Sequence, residues 1–445
     1  MRRIFSTLVL LLIVASGICG NPKYIFYFIG DGMGPSHVLG TEMYLGELQG
    51  VIGRPQKLCF TGFPHTAFVT TYSASNGVTD SAASGTALAT GTKTKNGRIG
   101  VDSNGNTVNS VAYHAKEAGM AVGIATTVCI NHATPGAFFA HNISRNNYHE
   151  IALQMLDADY DFYAGGDAKC NNEQRKDLYD NARKNGYTIA RGYDDYRTKA
   201  AEAKKMMLYQ EQMSEGIPYT IDRTAKDLTL AQITEAGIDF LYGKKKEGFF
   251  MMVEGGKIDY ASHSDDVATV FQEVLDFNAA IEVAYEFYKK HKKETLIIVT
   301  ADHETGGLVL GYKGDYSLSL KELQQQKVSI DKLKEILQAQ GETTWGNIAK
   351  IVKENIGVEI RGAYPAEETV KITSELAGKI SWEAIYDLDR KAAISWASGN
   401  HSGTFVPLFA IGEEADEFCG VIDNTDIPKI IKRVAGLEKK KKSRK

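Results

Sequence analysis

Four short apolar runs, each ended by a loop with glycine, aspartate or histidine, constrain the fold of this chain most. They span residues 24–29, 122–129, 249–253 and 295–300. Continuous apolar runs of this length are typical of strands buried on both faces, as in a parallel sheet covered by helices. The carboxyl ends of such strands meet at one edge, where ligands bind. The sequence therefore predicts an α/β fold whose site lies at that edge.

Ser81 stands where a loop gives way to a helix. Residues 73–77 are turn formers, whereas residues 82–90 are small and predict a helix. A helix N-terminus has free backbone N–H groups and favours a phosphate or an anionic oxygen. Taken alone, Asp80 or Ser81 is better explained as the cap of this helix. Only metal-ligand motifs elsewhere can favour a nucleophilic serine.

Residue types that bind metal ions follow the apolar runs. Asp259 and His263 are four residues apart, so they face the same way on one helical turn. The predicted ligands are Asp31, Glu254, Asp259, His263, Asp302, His303 and His401. Seven ligands are too many for one tetrahedral ion; mixed imidazole and carboxylate sets suit Zn²⁺, and carboxylates with hydroxyls suit Mg²⁺. Two ions can clamp the attacking and leaving oxygens of a phosphoryl transfer.

Arg145 follows the second apolar run in a polar loop. Its planar guanidinium suits bidentate phosphate binding, although most lone arginines are surface ion-pair partners.

The N-terminus has the parts of a secretory signal, and we predict a signal peptide over residues 1–20. Arg2 and Arg3 precede an apolar run over residues 4–15, which is too short to span a bilayer comfortably. Cys19 raises the question of a lipoprotein, but Ile18 is a poor residue before a lipidated cysteine. No later stretch suits a membrane span, so we expect a periplasmic or extracellular protein.

Composition excludes some partners and leaves the disulfides open. The formal charge of −4 falls by two when Arg2 and Arg3 leave, and by six more without the basic tail at 439–445, which leaves −12. A protein whose residues outside the N-terminal segment and the tail carry this much negative charge is a poor nucleic-acid binder. The tail is expected to be a solvated end.

Four cysteines outside the signal lack CxxC spacing, so the sequence does not show which of them pair: Cys59, Cys129, Cys170 and Cys419.

Charged helical patterns replace the apolar runs between residues 310 and 395, which predicts an inserted cap over the sheet edge. The region lies within one catalytic domain, residues 21–438, because the core pattern resumes at the glycine-flanked His401 and the strand at 405–411.

Taken together, these motifs resemble those of the alkaline phosphatases, from Lys23 to about Gly412. The resemblance rests on six segments in order: Asp31-Gly-Met-Gly, Asp80-Ser81-Ala-Ala-Ser, Ala133-Thr134-Pro135 with Ser144-Arg145, Glu254 through Asp259 to His263, Thr300-Ala-Asp302-His303, and Gly-Asn-His401-Ser-Gly. It implies a three-layer α/β/α sandwich with a large, mostly parallel central sheet and an inserted helical cap region. It also implies a homodimer that hydrolyses phosphate monoesters.

The resemblance implies a role for each residue. Ser81 would form a covalent phosphoserine, and Arg145 would grip two phosphate oxygens. Two zinc ions and one magnesium ion would be bound: the first zinc by Asp259, His263 and His401, the second by Asp31, Asp302 and His303, and the magnesium by Asp31, Thr134 and Glu254. His132 and Tyr260 would lie behind these ligands, where some bacterial members have an aspartate and a lysine.

Two other functions stay open at this point. A metal-dependent phosphodiesterase of the same superfamily usually carries a threonine nucleophile and lacks the arginine and magnesium set. A non-catalytic exported phosphate- or metal-binding protein would not require a serine beside the second metal. A serine esterase would need Gly-x-Ser-x-Gly, which residues 79–85 lack.

Overall fold

A ten-stranded sheet forms the centre of the computed structural model, which describes residues 20–312 and 316–437. The signal peptide expected at 1–20, apart from Gly20, and the basic tail lie outside the described residues. The strands of the described residues are β1 (Tyr24–Gly30), β2 (His65–Thr70), β3 (Ala121–Cys129), β4 (Phe162–Gly166), β5 (Tyr187–Arg191), β6 (Lys205–Tyr209), β7 (Phe249–Glu254), β8 (Thr295–Ala301), β9 (Glu304–Thr305), β10 (Val309–Leu310), β11 (Glu342–Thr344), β12 (Thr369–Lys371), β13 (Ile394–Ser395), β14 (His401–Ser402), β15 (Val406–Gly412) and β16 (Gly420–Asp423).

The strand order in the central sheet is β16-β2-β15-β8-β1-β7-β3-β4-β6-β5. All neighbours are parallel except β15, which runs against both β2 and β8. The register pairs Ile29 with Glu254 and with Thr300, so three neighbouring strands end at the same level. Strands β1, β3, β7 and β8 are almost wholly buried, which agrees with their continuous apolar sequences.

Helices cover both faces of this sheet and complete the predicted three-layer α/β/α sandwich. The helices of the described residues are α1 (Pro35–Leu48), α2 (Ser81–Thr90), α3 (Val111–Glu117), α4 (Ala133–Gly136), α5 (Tyr148–Ala158), α6 (Asn172–Lys184), α7 (Gly192–Lys199), α8 (Leu230–Gly243), α9 (Lys257–His263), α10 (Val267–Lys290), α11 (Ile330–Gln338), α12 (Trp345–Ile356), α13 (Ser374–Lys391) and α14 (Asp426–Val434). One layer packs α1, α8 and α10 together, and the other packs α2, α3 and α14. No described helix has both the length and the apolar character that a membrane crossing requires.

The region from residue 310 to 395 contains α11, α12 and α13, which pack on one another, and the small hairpin of β11 and β12. Strands β10 and β13 pair at its base. We propose that this region is an insertion, because the chain leaves the central sheet after β8 and returns to it at β15.

Two features differ from the sequence analysis or extend it. Residues 171–235, whose sequence shows no long apolar run, contain β5 and β6 at one end of the sheet. The buried apolar run Met206–Tyr209 is the sequence pattern from which β6 could have been predicted. The four cysteines of the described chain form no disulfide.

Candidate active site

The acidic residues of the site stand at the carboxyl ends of neighbouring strands. Asp31 follows β1, Glu254 ends β7 and Asp302 follows β8, and all three are buried. The loop after β1 requires a glycine at position 32 for two reasons. Gly32 has a φ of +74°, and a Cβ on this residue would lie only 2.8 Å from Thr305 Oγ1. The parallel sheet thus gathers side chains that are more than two hundred residues apart in sequence.

Ser81 is the first residue of α2, and Asp80 is the cap of that helix. The Asp80 carboxylate accepts the N–H of Ala83 at 2.9 Å. The Ser81 hydroxyl is therefore not needed as a cap and lies 3.2 Å from His303 Nε2 instead. The capping role therefore belongs to Asp80, and Ser81 stays the predicted nucleophile.

Asp259, His263 and His401 bring their donor atoms to one point. The two histidine Nε2 atoms are 3.2 Å apart, and His263 Nε2 is 3.4 Å from Asp259 Oδ2. Each Nδ1 faces a carbonyl oxygen at 2.8 Å, of Gly399 for His263 and of Thr79 for His401. Because a carbonyl only accepts, each ring in its neutral form donates from Nδ1 and has a lone pair on Nε2; the hydrogen bond to Asp259 raises the pKa of His263 to about 9, so a metal ion would take the place of the proton on that ring. Two converging lone pairs beside a carboxylate are the arrangement that a metal ion satisfies.

Asp31, Asp302 and His303 form a second group. His303 Nε2 is 3.3 Å from Asp31 Oδ1 and 3.3 Å from Asp302 Oδ2. Those two carboxylate oxygens are buried without a hydrogen-bond partner in the described residues. The His303 and His401 rings stack with centroids 3.6 Å apart, so the first two groups lie side by side.

A third group consists of Asp31, His132 and Glu254. Thr134 donates to Asp31 Oδ2 at 3.4 Å, and Thr126 donates to Glu254 Oε2. Glu254 Oε1 and His132 Nδ1 are buried without partners in the described chain. His132, expected behind the ligands, thus lies in one group with Asp31 and Glu254.

The electrostatics of the site fit bound cations. Burial and the carboxylate of Asp259 raise the pKa of Asp302 to about 8, and burial raises the pKa of Glu254 to about 7. Burial, followed by the charges of Asp302 and Asp259, raises the pKa of Asp31 well above its usual value. Crowded carboxylates that resist ionisation alone are stabilised as anions by a metal ion. Their donor sets, of oxygen with imidazole, suit Zn²⁺ and Mg²⁺.

The metal-free protein is expected to lose stability as the pH rises from about 6.5 to about 8, which is above the range in which buried His132, whose pKa is lowered to about 3, gains stability with rising pH. The raised pKa values of Asp302 and Glu254 mean that the folded state keeps protons which the unfolded state releases from its usual values of 3.8 and 4.5. Stability from these two groups is complete below the unfolded values and is lost through the folded ones. Urea unfolding of chelator-treated protein across this range measures the effect. Zinc- and magnesium-loaded protein is the control and should lack this fall; an identical slope in both would contradict the account.

Arg145 lies at the outer side of the site. Its guanidinium donates to Asp80 Oδ2 at 3.1 Å and to His132 Nε2 at 3.0 Å. Burial and the charge of Arg145 lower the pKa of His132 to about 3, so this imidazole is neutral. The Asp80 carboxylate therefore orients the arginine while it caps the helix of Ser81. Tyr260 packs edge-on to His132, with ring centroids 5.8 Å apart.

Thr305 is a residue of the site that the sequence analysis did not identify. Its hydroxyl donates to Asp259 Oδ1 at 2.5 Å and lies 3.2 Å from His303 Nδ1. Since the single hydroxyl proton goes to Asp259, the oxygen accepts from His303 Nδ1. His303 then has its lone pair on Nε2, facing Ser81. Thr305 thereby connects one member of the first group to one of the second.

Replacing Thr305 with valine is expected to weaken zinc binding about 10- to 100-fold, because two candidate ligands lose their orienting partner. Thr305→Ser keeps the hydroxyl and should bind zinc almost as the parent does. Competition with a colorimetric chelator measures the affinity, and circular dichroism checks the fold. Equal zinc affinity in the valine and serine variants would show that the hydroxyl has no orienting role.

The family model described as alkaline phosphatase matches residues 22–161 and 160–437. These segments cover nearly all of the described chain and contain every residue of the three groups. The chain belongs to the alkaline phosphatase family.

Individual alkaline phosphatases resemble the chain over most of its length. Alkaline phosphatase 4 of Bacillus subtilis is 34% identical over 434 residues, which cover 93% of this chain and 88% of the relative. The crystal structure of the cold-active alkaline phosphatase of Shewanella sp. has a TM-score of 0.80 at 31% identity and covers 94% of this chain and 100% of that one. A histidine-to-glutamate mutant of the TAB5 alkaline phosphatase, which has Mg bound in its M3 site, has a TM-score of 0.69 at 27% identity and covers 95% of this chain and 100% of that one.

Membership of this family makes the chain an alkaline phosphatase-type enzyme of a metal-dependent family. The three groups of candidate ligands agree with that dependence. The predicted fold class and family are therefore confirmed.

Proposed function

We propose that the protein hydrolyses phosphate monoesters to an alcohol and inorganic phosphate through a phosphoserine on Ser81. The observation that carries this proposal is the position of the Ser81 hydroxyl, at the first turn of α2 and 3.2 Å from His303 Nε2. The N-terminus of α2 favours negative charge there. A phosphate placed against it would also meet Arg145, whose guanidinium can bind two non-bridging oxygens.

The proposed cofactors are two zinc ions and one magnesium ion. Asp259, His263 and His401 would hold one zinc, and Asp31, Asp302 and His303 the other. Asp31, Thr134 and Glu254 would hold the magnesium, with His132 beside them and Tyr260 behind. When bound, the ions would lower the pKa of the Ser81 hydroxyl and offset charge on the phosphoryl and leaving oxygens. Two contacts support these roles: Thr305 orients His303, and Oδ1 of Asp302 accepts the N–H of Gly32 at 3.2 Å.

The direct test is hydrolysis of p-nitrophenyl phosphate by the purified protein. We expect turnover with zinc and magnesium, loss with a chelator, and recovery on adding both metals back. Turnover that resists the chelator, or none with both metals supplied, would refute the proposal; the second result would favour an exported phosphate- or metal-binding protein. Bis(p-nitrophenyl) phosphate is the matched substrate, and faster hydrolysis of this diester would favour a phosphodiesterase.

We further propose that the enzyme is exported by way of residues 1–20 and acts as a homodimer. An exposed apolar patch supports the dimer: Phe68 is 56% exposed, Phe405 44% and Val421 69%. Phe68 pairs with Val421 across two strands, and its ring lies 6.1 Å from that of Phe405. Phe68→Glu should yield monomers in sedimentation, with Tyr113→Glu as an exposed aromatic control. A parent protein that sediments as a monomer would contradict the dimer.

A further inference from the structure

An exposed loop, residues 396–400, supports the first group of candidate ligands. The side chains of residues 397–400 are exposed, yet the Gly399 carbonyl accepts from His263 at 2.8 Å, and His401 follows the loop directly. The His263 side chain is 37% exposed, whereas His303 of the second group is fully buried. Exposed loops with few buried contacts open easily. The first group therefore needs an anchor that the second group does not.

Backbone hydrogen bonds close this loop around Gly306. The N–H groups of Ala397 and Ser398 donate to the Gly306 carbonyl at 2.9 and 3.1 Å, and the Gly306 N–H donates to the Asn400 carbonyl at 2.8 Å. Gly306 follows β9, which pairs with β14 and thus with His401. Its φ of +89° suits a glycine. The loop and the ligand that follows it are thus fixed to one glycine.

The indole of Trp396 lies against that glycine and connects it to the region 310–395. A Cβ on Gly306 would lie 2.4 Å from Trp396 Cε3. The indole N–H donates to Asp389 Oδ2 at 2.8 Å, and Asp389 lies near the end of α13. One side chain therefore joins α13 to the loop that supports the first group.

The indole also packs on His37, which supports α9. The two ring centroids are 6.0 Å apart in an edge-on arrangement. Ser262 donates to the Ile258 carbonyl at 2.7 Å, so its oxygen accepts from His37 Nε2 at 3.1 Å. Because α9 carries two of the three candidate ligands, the indole has contacts toward both the helix and the loop of the first group.

Packing alone does not explain the contact between Trp396 and Asp389. Asp389 is 2% exposed, and burial raises its pKa well above the usual value. Among the described residues, the indole N–H is the one donor to its side chain, and Asp389 Oδ1 has no partner. A buried carboxyl costs free energy that an apolar pair of similar shape would avoid. What the hydrogen bond adds is direction, because it holds the ring in one orientation against Gly306.

We propose that Trp396 is a positioning residue of the first group, and that its hydrogen bond to Asp389 fixes the exposed loop in the geometry that binds zinc. Trp396 acts through Gly306 and His37 and is not itself a ligand. The inference rests on the proposed function, because it takes the first group as the ligands of one zinc ion. Loss of a supporting contact of this kind typically lowers metal affinity about 10- to 100-fold.

The test is competition for zinc between the purified protein and a colorimetric chelator. Trp396→Phe keeps an aromatic ring but removes the N–H, and we expect one of the two zinc ions to bind about tenfold or more weakly, with the other unchanged. Trp345→Phe is the matched control, since Trp345 is a 9% exposed tryptophan of the same region that stacks on Tyr364 at 3.7 Å. This control should bind both zinc ions as the parent does.

Two substitutions of Asp389 separate the hydrogen bond from packing. Asp389→Asn keeps an acceptor oxygen and should bind zinc almost as the parent does. Asp389→Leu fills a similar volume without an acceptor and should match Trp396→Phe, and the two changes together should lower the affinity little further. Circular dichroism checks that each variant is folded. If Trp396→Phe does not fold, the comparison of the two Asp389 variants decides.

The His263→Ala background shows which zinc ion is affected. This protein lacks a ligand of the first group, so adding Trp396→Phe should not change the affinity for the zinc ion that remains. Parental zinc affinity in Trp396→Phe, an equal fall in Trp345→Phe, equal affinities in the two Asp389 variants, or further weakening in the His263→Ala background would overturn the inference and leave the proposed function intact. A parent protein that binds no zinc would refute both.

Discussion

Ser81→Ala is expected to lower the turnover of p-nitrophenyl phosphate by about a thousandfold or more. The substitution removes the one hydroxyl that lies 3.2 Å from His303 Nε2 at the N-terminus of α2. The fold should persist, because the cap of that helix is the Asp80 carboxylate and not the serine. Zinc and magnesium content should also persist, since no proposed ligand changes. Steady-state kinetics and metal analysis of the same sample measure both.

Ser75→Ala is the matched control, because Ser75 lies in the exposed loop before α2. It should hydrolyse the substrate at nearly the parental rate. If Ser81→Ala retained normal turnover with full metal content, another group would have to be the nucleophile. If it lost its metals as well, Ser81 would belong to the structure of the metal site, and the loss of rate would say nothing about attack.

Asp302→Asn is expected to have opposite effects on the metal-free and the metal-loaded protein. Without metal, the Asp302 carboxyl has its pKa raised to about 8 by burial and by Asp259, so its ionised form destabilises the fold. An amide cannot ionise, and the metal-free variant should gain on the order of a few kcal/mol of unfolding free energy near pH 8. With metal supplied, turnover should fall about a thousandfold, because one of the proposed charged ligands is lost.

Asp167→Asn makes the same chemical change at a buried aspartate outside the site. Asp167 pairs with Arg191 at 2.6 Å, so this variant should lose stability in both states and keep its turnover per folded molecule. Urea unfolding with and without chelator gives the four free energies. A metal-free Asp302→Asn protein less stable than the parent would mean that the carboxylates of the second group do not repel one another as described.

The sequence predicted those strands and site residues that a local pattern of apolar and polar residues marks. The strands β1, β7 and β8 are buried on both faces and end sharply at a glycine or a charged residue, so their apolar runs predict both the strand and the residue at which it ends. Strand β3 is equally buried and is followed by the polar loop that contains Asn131 and His132. The ends of parallel strands meet at one edge by the rules of the fold. The prediction that Asp31, Glu254 and Asp302 lie close together followed from this rule, without knowledge of the strand order.

Other features depend on contacts that no local pattern encodes. Strand β5 is short and half-buried at the end of the sheet, and charged helices surround it, so it has no continuous apolar run. His401 lies in the two-residue strand β14, which exists only because it pairs with β9. Thr305 orients two candidate ligands through one hydroxyl, and only their coordinates show this. Asp80 has two roles because a loop brings Arg145 to a helix cap.

The central claim is that Ser81 carries the phosphoryl group between the two steps of hydrolysis. Acid quenching of the enzyme during turnover, followed by proteolysis and mass spectrometry, tests it most directly. We predict one added phosphoryl group on the peptide that contains Ser81, located on Ser81 and not on Ser84, and absent from chelator-treated protein. Full turnover with no phosphoryl group on Ser81 under these conditions, or with one on another residue, would contradict the claim.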